Sequence, residues 1–148
     1  MKRLRCRGMA LVEAALTLPV CLAVLAFTLS FGRQTWYTAA LDKATADAAR
    51  YVASVPLESL QDGSRRSAVL SAAEAMLAEA LASAGIPATL LNVEIGCANM
   101  DCAAMPASEA PQWVVVRVQV YFTDSILYRL TEREQVMLSS VARVGRDN

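Results

Sequence analysis

The chain has 148 residues, room for one membrane helix and one small domain but not for two sizeable globular domains. Fourteen basic and fourteen acidic residues cancel, yet Lys2, Arg3, Arg5 and Arg7 crowd the first eight positions and every acid lies beyond them. A basic patch confined to such a leader argues against nucleic-acid binding, and the absence of histidine removes the commonest metal ligand and general base.

The basic leader runs into Met9-Ala10-Leu11-Val12-Glu13, and the next eighteen residues, Ala14 to Phe31, carry no charge. At about 1.5 Å per residue they span roughly 27 Å, close to one hydrocarbon core. The basic flank places the N-terminus in the cytoplasm and the bulk of the chain outside. Glu13 stands near the start of this helix, where an acid costs roughly 2.5–3.5 kcal/mol at the bilayer centre and asks for a functional reason. Pro19 removes one backbone hydrogen bond and bends the helix, and Cys21 serves as a small apolar residue. Three other readings compete. A secretory signal could end at Ala23-Val24-Leu25-Ala26, although Glu13 sits badly inside it. Leu18-Pro19-Val20-Cys21 loosely fits a lipoprotein site, with a valine where a small residue belongs. The third is a plain uncleaved anchor.

Helix-forming residues continue after Gly32-Arg33, so one helix is expected from about Met9 to about Ser54, ended by Pro56. Leu41, Thr45, Ala48 and Val52 share one face, with Asp42, Lys43, Asp47 and Arg50 solvated. Trp36 and Tyr37 fall at the outer membrane interface. Leu57 to Gly63 reads as a loop, with Ser64 capping a second, amphipathic helix from about Arg65 to Ala84. Val69, Ala73, Met76, Leu77, Ala80 and Leu81 form its apolar stripe, Glu74 and Glu79 face away, and Gly85-Ile86-Pro87 stops it. Thr89 to Ile95 reads as a strand. Trp113 to Phe122 is a stronger one, with Val114, Val116, Val118, Val120 and Phe122 on one face and Arg117 and Gln119 on the other. Glu134 to Arg143 is read as a third strand in preference to a short helix. It carries Val136, Leu138 and Ser140 on one face and returns after a connection with a helical turn at Ser125-Ile126-Leu127-Tyr128. The fold class is α+β and pilin-like: a long N-terminal helix, transmembrane in its first half, a second amphipathic helix and a small antiparallel sheet.

Arg7-Gly8-Met9-Ala10-Leu11-Val12-Glu13-Ala14-Ala15-Leu16, the apolar helix with Pro19, Phe31-Gly32-Arg33, and Ala44 through Tyr51-Val52-Ala53 resemble a TadE-like minor pseudopilin of the tight-adherence (Flp/Tad) type IV pilus system. The resemblance covers the first third of the chain. It implies a basic prepilin leader at 1–8, a transmembrane and assembly half at 9–32, and a periplasmic or extracellular domain at 33–148. It further implies that a prepilin peptidase cuts between Gly8 and Met9, making Glu13 the fifth mature residue. Glycine lets an extended leader approach a protease closely. Glu13 can then neutralise the N-terminal ammonium of a neighbouring subunit, or else snorkel to the headgroups. The implied partners are the peptidase, other minor pseudopilins, the major Flp pilin, the inner-membrane assembly platform and membrane lipid. The size of the outer domain argues against a major Flp pilin.

Cys97 and Cys102 bracket four residues in the connection between the first two strands, a spacing that suits a local disulfide on the exported side. A zinc site fails for want of histidine or a second cysteine pair, since Cys6 and Cys21 lie in the leader and the membrane span. Gly96, Pro106 and Pro111 would leave this connection mobile. No catalytic constellation or cofactor motif emerges, and Asp42 with Asp47, or Glu132 with Glu134, read as solvated charges. An assembly protein is expected, a peptidase substrate and not an enzyme. The alternative is an uncleaved, single-span anchor carrying a periplasmic binding or scaffold domain.

Overall fold

A computed structural model describes residues 5–86, 91–108, 110–122 and 136–146. Helix α1 (Arg5–Ser54) runs unbroken through Pro19 and stops two residues before Pro56, whose ring cannot continue a helix. It begins before Met9, so the predicted leader contributes its first turn. Where a loop is expected, a short α2 (Leu57–Gln61) forms around the buried Leu60. Asp62, not Ser64, caps α3 (Gly63–Ser83): its carboxylate accepts from the amides of Ser64 and Arg65, and Ser64 already lies inside the helix. Those bonds hold the Asp62 carboxyl below the usual range, the hydroxyl of Ser64 contributing most.

At the far end of α3 the amide of Ile86 donates to Leu81 and that of Gly85 to Ala82, with Gly85 at φ 79°. This is the left-handed glycine stop, sealed by contact between buried Leu81 and Ile86. Ala73, Leu77 and Leu81 face the core as the stripe predicts, and Glu74 and Glu79 are exposed. Met76 and Ala80 turn outward, and Leu70 is half-buried instead. The seated face is narrower than the sequence stripe because α3 meets only α1, α2 and the turn after β2 closely.

The sheet has four strands in the order β2-β1-β3-β4, all antiparallel, from β1 (Leu91–Cys97), β2 (Met100–Asp101), β3 (Trp113–Phe122) and β4 (Val136–Gly145). Alternation works as expected in β3, where Val114, Val116, Val118 and Val120 are all buried against α1. In register beside them lie Val144, Ala142, Ser140 and Leu138 of β4, and Cys97, Ile95 and Val93 of β1. The last segment is therefore a strand returning beside β3. Thr89, Leu90, the Ser125 to Tyr128 turn, Glu134 and residues 1–4 lie outside the described residues.

The outer half of α1 packs on both the sheet and α3, so Leu41, Thr45, Ala48, Ala49 and Val52 are sealed in the core. Small side chains there bring the helix backbone close to its neighbours. The buried Thr45 hydroxyl returns its hydrogen bond to the Leu41 carbonyl at 2.7 Å. The end of α1 is closed from a distance. It has no basic residue in its last turn, and Arg146, just past β4, donates to the carbonyls of Val52 and Val55, the latter at 2.8 Å. A cation at a helix C-terminus satisfies orphan carbonyls and complements the dipole.

Candidate functional site

The inner half of α1 exposes Met9 (79 %), Leu11, Val12, Leu18, Leu22, Leu25, Phe27 and Phe31, and its most apolar stretch touches nothing else in the protein. It belongs to the one helix among the described residues long and apolar enough to cross a membrane. Two of its hydroxyls are satisfied within the helix, Thr17 donating to the Glu13 carbonyl at 2.9 Å and Thr28 to that of Val24 at 2.8 Å, whereas the buried Ser30 hydroxyl has no partner among the described residues. In a medium without water, this internal pairing removes the cost of an unmet hydroxyl.

Gly8, Met9 and Glu13 lie within two consecutive turns of this helix, with Glu13 exposed one turn above Met9. Residues four apart share a face, so the carboxylate and the Met9 end point to the same side. The Gly8–Met9 peptide is itself helical. A protease that reads extended chain must unwind the first turn, which glycine eases by about 1 kcal/mol relative to alanine.

The two aromatics that follow the apolar stretch part. Trp36 is 64 % exposed, whereas Tyr37 is 8 % exposed and joins the core, its hydroxyl accepting from Arg33 Nε at 3.0 Å. Of the two expected interface anchors only Trp36 is exposed, and Tyr37 belongs to the core. One residue step turns about 100° around a helix, enough to carry Tyr37 beneath the domain.

Cys97 and Cys102 are joined, with Cα atoms 4.7 Å apart, and both are buried. The first part of the connection that holds them forms regular structure. Cys97 ends β1, Cys102 opens a turn of 3-10 helix (Cys102–Ala104), and Met105 is buried after it. Arg66 of α3 donates to the Met105 carbonyl and, at 3.4 Å, to that of Leu60. Ala98 takes a left-handed φ of 58° at the hairpin turn, where its carbonyl accepts from the Trp113 indole at 3.0 Å. The disulfide is thus a staple of the outer domain, remote in the chain from Gly8, Met9 and Glu13. Arg66 and Arg146, which anchor carbonyls from distant segments, carry no signature in the sequence.

Asp42, Lys43, Asp47 and Arg50 are all exposed, and Asp47 pairs with Arg50 at 3.2 Å. Such a pair on a solvated helix face contributes little.

Residues 8–50 match the family model described as TadE-like protein. No curated protein and no solved structure matches the chain. The match begins at Gly8 and takes in the exposed apolar half of α1 and most of its buried half. Over residues 8–50 the chain is thus similar to TadE-like proteins.

Proposed function

We propose that this protein is a minor pseudopilin, cut between Gly8 and Met9 by a prepilin peptidase and taking part in assembling or priming a Tad/Flp pilus used for surface attachment. The observation that carries the reading is the TadE-like match, which starts at Gly8 and takes in an apolar helix whose most apolar stretch is exposed. The precursor sits in the inner membrane as a single span, N-terminus in the cytoplasm and domain in the periplasm. There it contacts the peptidase, other pseudopilins, the major Flp pilin, the assembly platform and lipid. Its role is assembly and not catalysis. After cleavage Glu13 pairs with the Met9 ammonium of a neighbouring subunit, turning two costly charges into one contact that sets axial stagger.

A second reading has its own support. Because α1 already runs through the Gly8–Met9 bond, an uncleaved anchor bearing a periplasmic binding or scaffold domain needs no unwinding. One experiment separates the two. N-terminal sequencing of protein from cells with an active peptidase should give Met9, and Gly8→Leu should retain the leader. Glu13→Ala should still be cleaved and inserted, yet be lost from pilus fractions. Recovery of only Met1 establishes the uncleaved anchor, and a Glu13→Ala variant that co-assembles as well as wild type removes the pairing role.

A further inference from the structure

Helix α3 closely meets α1, α2 and the 3-10 turn Cys102–Ala104, and the same turn meets β1. Apart from α1, which packs on both, this turn is the close bridge between α3 and the sheet among the described residues. Arg66 makes the joint: its guanidinium donates to the carbonyl of Met105, just past the turn, and to that of Leu60 in α2. Cys97, Cys102, Met105 and Leu60 all belong to the buried core.

The segment that carries the turn has little else to hold it. Up to Ala98 the chain is fixed to β3, the Ala98 amide donating to the Trp113 carbonyl at 2.9 Å and the Trp113 indole to the Ala98 carbonyl at 3.0 Å. Beyond Ala98 comes β2, only two residues long, and so short a hairpin is marginal by itself. Asp101 closes the turn locally, its carboxylate accepting from the Ala103 amide at 2.9 Å. The Cys97–Cys102 bond returns the chain to the end of β1 and so brings the Met105 carbonyl to Arg66. Yet Cys97 is 1 % and Cys102 0 % exposed, and thiol–disulfide exchange needs an attacking sulfur to reach one of them. The closed domain shuts that route.

We propose that the bond and α3 form a mutual latch: oxidation of the two thiols on the open turn lets Arg66 dock α2 and α3 beside the sheet, and docking then seals the bond from exchange. In forming it the two thiols give up two protons and two electrons, and the disulfide of an oxidant on the exported side takes them and becomes two thiols. Oxidation comes first and closure second. Such coupling is reciprocal at equilibrium: whatever undocks α3 makes the bond easier to reduce, and reducing the bond undocks α3. A staple acting only on the unfolded chain would instead weaken every element alike. The pilus reading enters only through the exported side, where the oxidant is met.

The test uses full-length protein in detergent. Reduction should quicken amide exchange over α2 and α3 about tenfold beyond whatever β3 and β4 show. Arg66→Ala, left oxidised, should be reduced by dithiothreitol about fivefold faster than wild type, the effect of losing one or two hydrogen bonds, with Arg66→Lys in between. Arg146→Ala, which loosens the end of α1 away from the turn, should be reduced at the wild-type rate. Added to Cys97→Ser with Cys102→Ser, Arg66→Ala should alter α3 exchange by less than about twofold, because the turn it grips is already free. Equal quickening in α3, β3 and β4, a bond reduced no faster in Arg66→Ala, or a bond reduced as fast in Arg146→Ala as in Arg66→Ala overturns the latch. Alkylation of thiols in growing cells tests the compartment separately. The bond should already be present there; free thiols, with both couplings intact in the purified protein, overturn the exported oxidation and leave the latch standing.

Discussion

The two halves of α1 invert the usual relation between size and burial. Below Gly32 the helix carries Leu, Val and Phe and leaves them exposed; above it the helix is rich in alanine and buries nearly everything on its inner face. Apolar surface alone does not decide what packs. The outer half packs because its side chains are small enough for a sheet and a second helix to reach the backbone, and the inner half has no such neighbours among the described residues.

The comparison breaks most visibly at matched leucines. Leu41→Ala, in the sealed half, should cost about 2–5 kcal/mol of domain stability through the cavity it leaves, whereas Leu22→Ala should leave thermal unfolding of the domain unchanged. Equal effects would mean that the halves form one cooperative unit. A smaller loss follows from removing the staple. Cys97→Ser with Cys102→Ser should cost about 2 kcal/mol, because the cross-link closes only a short loop. Denaturant unfolding of the domain reads it, and helicity of the inner half should not change. Arg146→Ala should cost about 1–2 kcal/mol by freeing carbonyls at the end of α1, seen as faster amide exchange in its last turn with none added near Glu13. The smallest effect belongs to Asp62, outside α1 altogether. Its carboxyl titrates lower in the folded state than in the unfolded one. The cap's contribution is therefore fully present above the ordinary value of 3.8 and is lost as the pH falls through the lowered one. Amide exchange at Ser64 and Arg65 across that window should follow the loss, and Asp62→Ala should abolish the pH dependence.

Elements with a long, consistent pattern could be read from the residues. The alternating valines of β3 and the span of α1 required nothing beyond periodicity and a stopping proline, whereas the pattern of β4 also suited a short helix. The two-residue β2 could not be read, because so short a strand has no period, and it exists only through Gly96 and Cys97 of β1. Asp62 and Ser64 both suit a cap, and only backbone direction selects between them. Met76 and Ala80 lie on the stripe of α3 but outside the arc its neighbours cover. In the candidate site, Gly8, Met9, Glu13 and the cysteine pair were visible because their meaning depends on local order. An open groove between α1 and α3 was not, since it requires Ala80 and Ala84 of one helix beside Ala40 and Ala44 of another. Arg66 and Arg146 escaped for the same reason: their acceptors are carbonyls distant in the chain.

A helix of 50 residues extends about 75 Å, and this one is held at its tip by Arg146 and along its outer flank by the sheet and α3. Any tension that draws the inner half along its axis is delivered to the domain as shear. The load divides among many side-by-side contacts instead of peeling them off one at a time. No linker lies between anchor and domain to absorb the strain. Pro19 leaves one rung of the backbone ladder unmade, so the ladder is weaker in the apolar half than in the packed half.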